Sequence, residues 1–491
     1  MPRASPLAFA ARIDPRRRQP LHQQLYEQVR AAVLQGTMAA GTRVPSSRVL
    51  AANLGVSRTT VLSAYEQLVA EGYLEGQSGA GTRVARHLPP VPRLQAREAR
   101  GDRRLGVRGT ALVQNRFGTE LRFPGRGWRA PFRLAVPALD EVPLVLWTRL
   151  AARHARAMTG EDLDYQDSGG LPRLRRAIAA HLALSRGLSC DPRQVLITAG
   201  AQAALDLTVR LLLDPGDRAI VEDPGHLGIR GALLGAGAEI QPLPVDDEGI
   251  VFDPRAAAGA RLACLTPSNQ FPLAVTLSLG RRLALLQWAE ASGAWIVEDD
   301  YDSEFRFSGR PLEALAALDR AERVLYVGTF SKVLFPGLRL GYLVVPPDLV
   351  DAFAAAKRFV DVHPPLLLQS VLAEFIEAGH FARHLRRLRQ LYAERAGCLV
   401  RALDRRLGGF LAVRPPEAGL HLTARLPVGS DDVALAASAA AGGIEVRPLS
   451  LYGLTVKPPG LVLGFGQLRP REIEPAVATL ERSLLRAGTM G

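Results

Sequence analysis

Lysine is scarce in this chain of 491 residues: only Lys332, Lys357 and Lys457 occur, and all the remaining Lys/Arg positions are arginine. Cysteine is also rare, and the three that occur lie far apart, with neither a disulfide framework nor metal-ligand spacing. This pattern excludes a small scaffold held together by disulfides and suits a reducing compartment. Because so few lysines occur, the position of each one is informative.

Long apolar runs are absent as well. The N-terminus lacks the apolar stretch of a signal peptide, and no uninterrupted run of about 18 apolar residues occurs, so we expect a cytoplasmic protein without membrane spans. With 47% apolar and 22% charged residues, the composition is that of an ordinary globular protein. Its length exceeds the size at which one core keeps growing, which predicts more than one domain.

Acidic residues are few in the first 133 positions, where 22 Lys+Arg stand against 8 Asp+Glu, a balance of +14. The rest of the chain holds 39 against 40, so the whole excess of +13 is N-terminal. This asymmetry is expected of a part that meets a polyanion joined to a part that does not. A solvated arginine-rich tail is the alternative.

Residues 17–85 have the spacing of three short helices and a hairpin. The first predicted helix has an apolar face of Leu21, Leu25, Val29 and Val33. The second begins at Ser46 or Ser47, buries Leu50 and Leu54 and ends at Gly55. The third begins after Ser57 and buries Val61, Tyr65, Leu68 and Val69. The glycine-rich segment after Gly72 predicts a two-stranded wing, and the whole pattern indicates a winged helix-turn-helix.

The stretch VPSSRVLAANLGVSRTTVLSAYEQLVAEGYLEGQSGAGTRV resembles the GntR family from the second helix through the wing. The resemblance implies a domain that binds double-stranded operator DNA. It implies contacts from Arg48 and from Arg58, Thr59 and Thr60 in the first turn of the third helix, with Gly81 at the wing tip. Arg43 reaches a phosphate or is a solvated surface residue. Leu62 stands where many members have arginine, which leaves fewer charged contacts for reading bases.

Residues 86–133 contain 12 arginines and 3 acids with little apolar periodicity. Such a stretch buries too little apolar surface to offset chain entropy, so we predict a flexible linker. Residues 134–491 alternate helix-length segments with short apolar runs such as RAIVED, RLACLTP, AWIVEDDY and VLYVGTF. This pattern predicts an α/β domain with a mostly parallel sheet, helices on both faces and ligands at the carboxyl ends of the strands.

Lys332 lies in GTFSKVLFPGLRLGY, directly after one of these runs. Arginine keeps its proton at accessible pH, so condensation with an aldehyde requires lysine. The segment resembles the Schiff-base motif of fold-type-I enzymes that use pyridoxal 5'-phosphate (PLP). The resemblance implies that Lys332 carries the cofactor, and that Thr329, Ser331 and Arg339 bind its phosphate.

Two upstream segments resemble further parts of the same cofactor site. In IVEDDYDSEF, the resemblance assigns Asp299 to the ring nitrogen of the cofactor and Tyr301 to its phenolic oxygen. Asp300 and Asp302 are interpreted as solvated residues. In ITAGAQAALDL, a turn at a helix N-terminus offers amides to the phosphate. Its residues are Gly200, Ala201 and Gln202.

Two more segments carry weaker signals. VEDPGH ends at His226, where many relatives place a tyrosine that stacks on the cofactor ring; histidine is also able to stack. TPSNQFP resembles a segment of aminotransferase-like regulators, and either Asn269 or Phe271 occupies the space against the cofactor.

From about residue 17 to about 485, the order of the two parts resembles the MocR subfamily of GntR regulators. The resemblance implies a small N-terminal winged helix-turn-helix and a large aminotransferase class I/II-like domain of fold type I, with a smaller C-terminal α/β subdomain. It also implies a homodimer in which an amine or amino-acid effector exchanges onto a PLP aldimine at Lys332 and thereby alters DNA binding.

Two rival functions remain. The first is a working PLP-dependent aminotransferase with an appended DNA-binding domain. The late strand GLVLGFG has Val462 where such enzymes commonly place an arginine for the substrate carboxylate, which favours sensing over turnover, although Arg230 or Arg447 could substitute. The second rival is a regulator that senses PLP itself.

Overall fold

The computed structural model describes residues 11, 13–17, 19–77, 81–86, 104–114, 129–307 and 312–486. The chain divides into two compact units, residues 1–103 and 104–491. Across the described residues, no helix has both the length and the apolar character needed to cross a membrane.

The first unit has three helices and a hairpin, as predicted. The helices are α1 (Leu21–Leu34), α2 (Ser47–Leu54) and α3 (Arg58–Ala70), and the antiparallel strands are β1 (Leu74–Gln77) and β2 (Gly81–Val84). Leu25, Val29 and Leu68 belong to the buried core that the three helices share.

Side chains at the helix ends explain where α2 and α3 begin. Ser46 Oγ accepts a hydrogen bond from the Val49 amide, and Ser57 Oγ accepts one from the Thr60 amide. Gly55 ends α2 in the left-handed region with φ 66°, a conformation that favours glycine. The predicted inward position of Val69 is wrong, because Val69 is exposed. The core instead contains Ala64, which lies one turn before Leu68 on the buried face of α3.

The second unit contains two sheets and twelve helices among its described residues. The helices are α4 (Val107–Gln114), α5 (Leu144–Ala157), α6 (Pro172–Arg186), α7 (Ala201–Leu212), α8 (Leu227–Ala236), α9 (Leu279–Ser292), α10 (Leu315–Leu318), α11 (Val350–Lys357), α12 (Leu366–Glu377), α13 (His380–Leu407), α14 (Asp432–Ala441) and α15 (Pro470–Arg486). The large sheet consists of β3 (Val195–Thr198), β4 (Arg218–Asp223), β5 (Glu239–Asp246), β6 (Gly249–Ile250), β7 (Ala260–Leu265), β8 (Trp295–Asp300), β9 (Val324–Thr329) and β10 (Gly341–Val344).

The large sheet has the order β3-β10-β9-β8-β7-β4-β5-β6. Strands β9, β8, β7, β4 and β5 run parallel, β10 is antiparallel to both its neighbours, and β6 is antiparallel to β5. Along β9, Leu325 and Val327 enter one apolar cluster while Tyr326 enters another on the opposite side. Helices therefore cover both faces, which confirms the predicted mostly parallel α/β fold.

A smaller antiparallel sheet follows near the C-terminus, again as predicted. Its strands β11 (Ala412–Val413), β12 (His421–Arg425), β13 (Arg447–Pro448) and β14 (Gly460–Gly464) lie in the order β11-β12-β14-β13. The long helix α13 packs against α15 beside this sheet and against α12.

Two described stretches inside the predicted linker, residues 86–133, differ from a flexible segment. Helix α4 lies against α8 in the second unit, and Phe132 is completely buried in its main core. The Phe132 carbonyl also accepts a hydrogen bond from the Gly464 amide at the end of β14. Phe132 is one of four aromatic residues spread without a regular period among the arginines, prolines and glycines of this stretch, so composition did not reveal this anchor. The boundaries 17–85, 86–133 and 134–491 otherwise stay predictions.

Candidate cofactor site and DNA-binding surface

Lys332 lies in the turn that follows β9, before the 3-10 turn Pro336–Leu338. Its Nζ donates a hydrogen bond to the Ala135 carbonyl at 3.1 Å. Burial lowers the pKa of Lys332 to about 8, against the opposing effect of the Asp302 and Asp299 carboxylates. Near neutral pH this amine is therefore unprotonated far more often than an ordinary lysine, which a nucleophile requires.

Asp299 is near the end of β8, the strand next to β9, and only 4% of it is exposed. Its Oδ1 is buried without a hydrogen-bond partner among the described residues. Burial raises the pKa of Asp299 to about 7; the Asp300 carboxylate adds to the rise and Lys332 opposes it. His226 Nδ1 lies 3.7 Å from Asp299 Oδ2, and burial lowers the pKa of His226 to about 4, so its ring is neutral.

Gly200 and Arg339 form a close pair at the N-terminus of α7. Gly200 has φ 98°, and a Cβ there would lie 3.2 Å from Arg339 Nη2. That same Nη2 donates to the Ala199 carbonyl at 2.7 Å. A helix N-terminus beside a guanidinium is suited to binding an anion such as phosphate. Glycine is needed here both for the backbone conformation and for the approach of the arginine.

The other residues predicted to meet the phosphate differ in how far they are engaged. Thr329 Oγ1 accepts a hydrogen bond from the Ser331 amide at 3.2 Å, which orders the start of the lysine turn. Ala201 opens α7 after Gly200. Gln202 Nε2 instead donates to the Gly228 carbonyl at 3.0 Å, so its side chain is directed toward α8.

Tyr301 and Asn269 are joined directly. The Tyr301 hydroxyl donates to the Asn269 carbonyl at 2.9 Å, and Asn269 Nδ2 lies 3.3 Å from the same hydroxyl. Asn269 Nδ2 also donates to both carboxylate oxygens of Asp302 at 3.0 Å. Asn269 therefore fixes the tyrosine, while Phe271 lies among aromatic rings at centroid distances of 5.6 Å from His226 and 5.9 Å from Tyr301. Both residues that the sequence left as alternatives belong to this region.

The interpretation of Asp300 and Asp302 as solvated residues is wrong. Asp302 is 2% exposed, and burial raises its pKa to about 8. Asp300 Oδ2 lies 2.9 Å from Arg186 Nε and accepts a hydrogen bond from the Tyr326 hydroxyl at 2.5 Å. An arginine on α6 and an amide after β7 come from distant parts of the chain, so local sequence could not predict that these carboxylates have buried partners. The density of acids in EDDYD was the available signal.

The two arginines predicted as substitutes for a carboxylate-binding residue are both held elsewhere. Arg230 is buried, donates to the Tyr452 carbonyl and lies 3.5 Å from Asp223 Oδ1. Arg447 Nη2 lies 3.3 Å from Glu445 Oε1. Sequence reasoning also missed Ala135, the partner of Lys332. In the structure its φ is 64°, which is unusual for alanine.

On the first unit, Arg43, Arg48, Arg58 and Thr59 are exposed, as a DNA-contacting surface requires. Arg58 Nε donates to Ser47 Oγ at 3.3 Å, which links the starts of α2 and α3. Thr60 is half-buried, and its hydroxyl lies 2.8 Å from Ser57 Oγ within the helix cap.

Gly81 opens β2 with φ 85°, and a Cβ there would lie 3.0 Å from Arg43 Nε. The wing therefore lies close to this arginine. The residues that precede Gly81 in the predicted wing tip, 78–80, are outside the described residues.

Comparison with known proteins gives the same two parts. Residues 21–84 match the family model described as "Bacterial regulatory proteins, gntR family", and residues 139–463 match "Aminotransferase class I and II". The chain belongs to the GntR-type regulators that carry an aminotransferase class I and II domain. The predicted family is thereby confirmed.

Relatives of this GntR-type regulator match it over nearly their whole length. The probable rhizopine catabolism regulatory protein MocR of Rhizobium meliloti is 42% identical, covering 96% of this chain and 95% of its own. The pyridoxine biosynthesis transcriptional regulator PdxR of Corynebacterium glutamicum is 34% identical, covering 90% and 91%.

Among solved structures, the α-aminoadipate aminotransferase LysN of Thermus thermophilus, complexed with N-(5'-phosphopyridoxyl)-L-leucine, has a TM-score of 0.71 at 29% identity and covers 79% of the regulator and 98% of its own chain. Kynurenine aminotransferase of Pyrococcus horikoshii, in complex with PMP, has a TM-score of 0.68 at 27% identity, covering 73% and 91%. The second unit of the regulator thus has an aminotransferase-like fold.

Proposed function

We propose that this regulator binds PLP at Lys332 and that an amine or amino-acid effector acting at this site controls its binding to operator DNA. When bound, PLP supplies an aldehyde that condenses with primary amines and a ring that draws electrons from them. The other steps of the proposal depend on the residues of this chain.

The unpartnered Asp299 Oδ1 is the observation that carries the proposal. A buried carboxylate oxygen without a hydrogen bond is costly, so such an atom in a native fold calls for a partner. The pyridine nitrogen of PLP, when protonated, is a donor of the right chemistry for it. Lys332 is close enough for its charge to lower the pKa of Asp299.

The other site residues fit the remaining groups of PLP. The amides of Gly200 and Ala201 and the guanidinium of Arg339 would hold the phosphate, with Thr329 and Ser331 beside them. Tyr301 would donate to the phenolic oxygen once its hydroxyl turns away from the Asn269 carbonyl, to which it donates in this structure. The neutral ring of His226, next to Asp299, would stack on the cofactor.

Lys332 has two tasks in this proposal. Its Nζ must give up a proton to act as a nucleophile, and the burial that lowers its pKa favours this step. It must also be released from the Ala135 carbonyl. We expect the rate of cofactor loading to rise as the pH passes through about 8.

The proposal extends to DNA and to a second copy of the chain. Arg43, Arg48, Arg58, Thr59 and Thr60 with Gly81 would contact one DNA half-site. The exposure of all of them except the half-buried Thr60 supports this. A homodimer would read two half-sites.

The test is to incubate the purified protein with PLP, reduce it with borohydride and locate the added mass. We expect the adduct on the Lys332 peptide and its loss in Lys332→Ala. Lys457→Ala is the matched control, because Lys457 is exposed and remote in sequence, and it should load like wild type. A colourless wild-type protein without an adduct would overturn the proposal.

Transamination is the second candidate function, favoured by the aminotransferase-like fold. Steady formation of a keto acid from an added amino acid would support turnover. A spectral change that stops at one equivalent would support sensing. A response of DNA binding to PLP alone would support a sensor of the cofactor itself.

A further inference from the structure

An apolar wall lies beside the proposed cofactor site. Val462, completely buried on β14, packs with Leu227, Leu449 and Tyr452, and the partly buried Leu134 and Phe271 pack against them. We call these six residues the apolar wall.

Two residues of the apolar wall, Leu134 and Leu227, are adjacent in sequence to residues of the proposed cofactor site. Leu134 is followed directly by Ala135, whose carbonyl accepts the hydrogen bond from Lys332 Nζ. Leu227 follows His226, and the Phe271 ring lies 5.6 Å from the His226 ring. Leu134 and Phe271 are the partly exposed members of the wall, so a molecule attached at the amine of Lys332 would meet these two first.

Arg447 and Arg230 already pair with acidic residues, so each would have to break that pair before it could bind the carboxylate of a ligand. Arg447 is opposite Val462 in the antiparallel pairing of β13 and β14, so both side chains are on one face of the sheet. Glu445 neutralises Arg447 at 3.3 Å. Arg230, 5% exposed, is held between the Tyr452 carbonyl and Asp223.

Buried acids, rather than further arginines, lie beside the wall. Asp302 accepts a hydrogen bond from Asn269 Nδ2, which lies 3.3 Å from the Tyr301 hydroxyl, and Asp299 Oδ2 lies 3.7 Å from His226 Nδ1. These acids offer no positive charge to pair with a carboxylate. Removing a carboxylate from water without a partner is unfavourable in itself.

We infer that the effector of this regulator is a primary amine that carries no carboxylate, selected by the apolar wall in which Val462 stands in place of an arginine. The inference rests on the proposed function, because it assigns the ligand class of the same site. An α-amino acid of equal size would bring a charge for which this wall has no partner.

The experiment compares matched pairs on the PLP-loaded full-length protein. 2-Phenylethylamine is titrated against phenylalanine, and cadaverine against lysine, with the cofactor absorbance as the readout. We expect a spectral change for at least one of the amines, at a concentration at least tenfold lower than for the matching amino acid.

Two variants change the selectivity in the same assay. Val462→Arg should create a response to the amino acids, whereas Val462→Met, of similar length without charge, should not. Because an arginine in a buried apolar cluster is able to prevent folding, Glu445→Gln is the second variant. It releases Arg447 on the same sheet face and should also lower the concentration of amino acid needed.

The outcomes separate the two proposals. If an amino acid acts at an equal or lower concentration than its amine, or if neither member of either pair changes the spectrum of loaded protein, the inference is overturned while PLP binding stands. If the protein does not load with PLP, the proposed function itself fails.

Discussion

Replacing Asp299 with asparagine should change the stability of the PLP-free and PLP-loaded protein in opposite directions. In the PLP-free protein the carboxyl is 4% exposed, and burial raises its pKa from 3.8 to about 7. A carboxyl whose folded pKa is raised destabilises the fold as the pH climbs from 3.8 toward 7. At 1.36 kcal/mol per pH unit, the cost reaches about 4 kcal/mol above pH 7. Asp299→Asn removes this cost.

With PLP bound, the sign reverses. The Asp299 carboxylate then pairs with a protonated ring nitrogen, and hydrogen bonds to charged groups contribute about 1.5–3 kcal/mol. Asparagine would lose most of that, which predicts an affinity for PLP about 10- to 150-fold weaker.

Urea denaturation at pH 8, with and without PLP, measures both effects. Asp300→Asn is the matched control on the same strand: it leaves Arg186 without its buried partner and should lower the free energy of unfolding in both states. An Asp299→Asn protein that is less stable than wild type without PLP, or that binds PLP equally well, would refute the reasoning.

Three further changes test other parts of the structure. Gly200→Val should weaken PLP binding, measured by fluorescence titration, because its Cβ would approach Arg339 at 3.2 Å; Gly216→Val, with similar φ (94°) and open space around it, should affect stability alone. Phe132→Ala should lower the free energy of unfolding of the second unit by about 3–5 kcal/mol in urea, and an unchanged value would show that this residue does not anchor the unit. Ser57→Ala should lower that of the first unit by about 1 kcal/mol by removing the cap of α3; Ser63→Ala, on the exposed face of the same helix, should leave it unchanged.

Much of the fold was predictable because local signals and tertiary structure agree. The serines before α2 and α3 fix where those helices start, and the run RAIVED is strand β4 residue for residue. The predicted strands end where Asp299 and Thr329 lie, and parallel pairing brings these two ends together. Spacing along the chain therefore indicated which residues meet.

The partners of buried charges were not predictable, because they come from distant segments. Asp300 meets Arg186 from α6, and Asp302 meets Asn269 from the turn after β7. Arginine is a residue type that often binds ligands, but Arg230 donates its hydrogen bond to the backbone carbonyl of Tyr452, more than two hundred positions away. A charged residue that pairs with another protein group and one that binds a ligand look the same in the sequence, because only the partner distinguishes them.

Residues 130–132 are held by hydrogen bonds to three segments of the C-terminal part of the second unit. The carbonyls of Ala130, Pro131 and Phe132 accept hydrogen bonds from Gln467 Nε2 and from the amides of Glu445 and Gly464, and three residues later the Ala135 carbonyl accepts one from Lys332 Nζ. Displacing the Lys332 amine from the Ala135 carbonyl would remove one of the hydrogen bonds that hold residues 130–135 in the second unit. The order of this segment is therefore linked to whatever binds at Lys332.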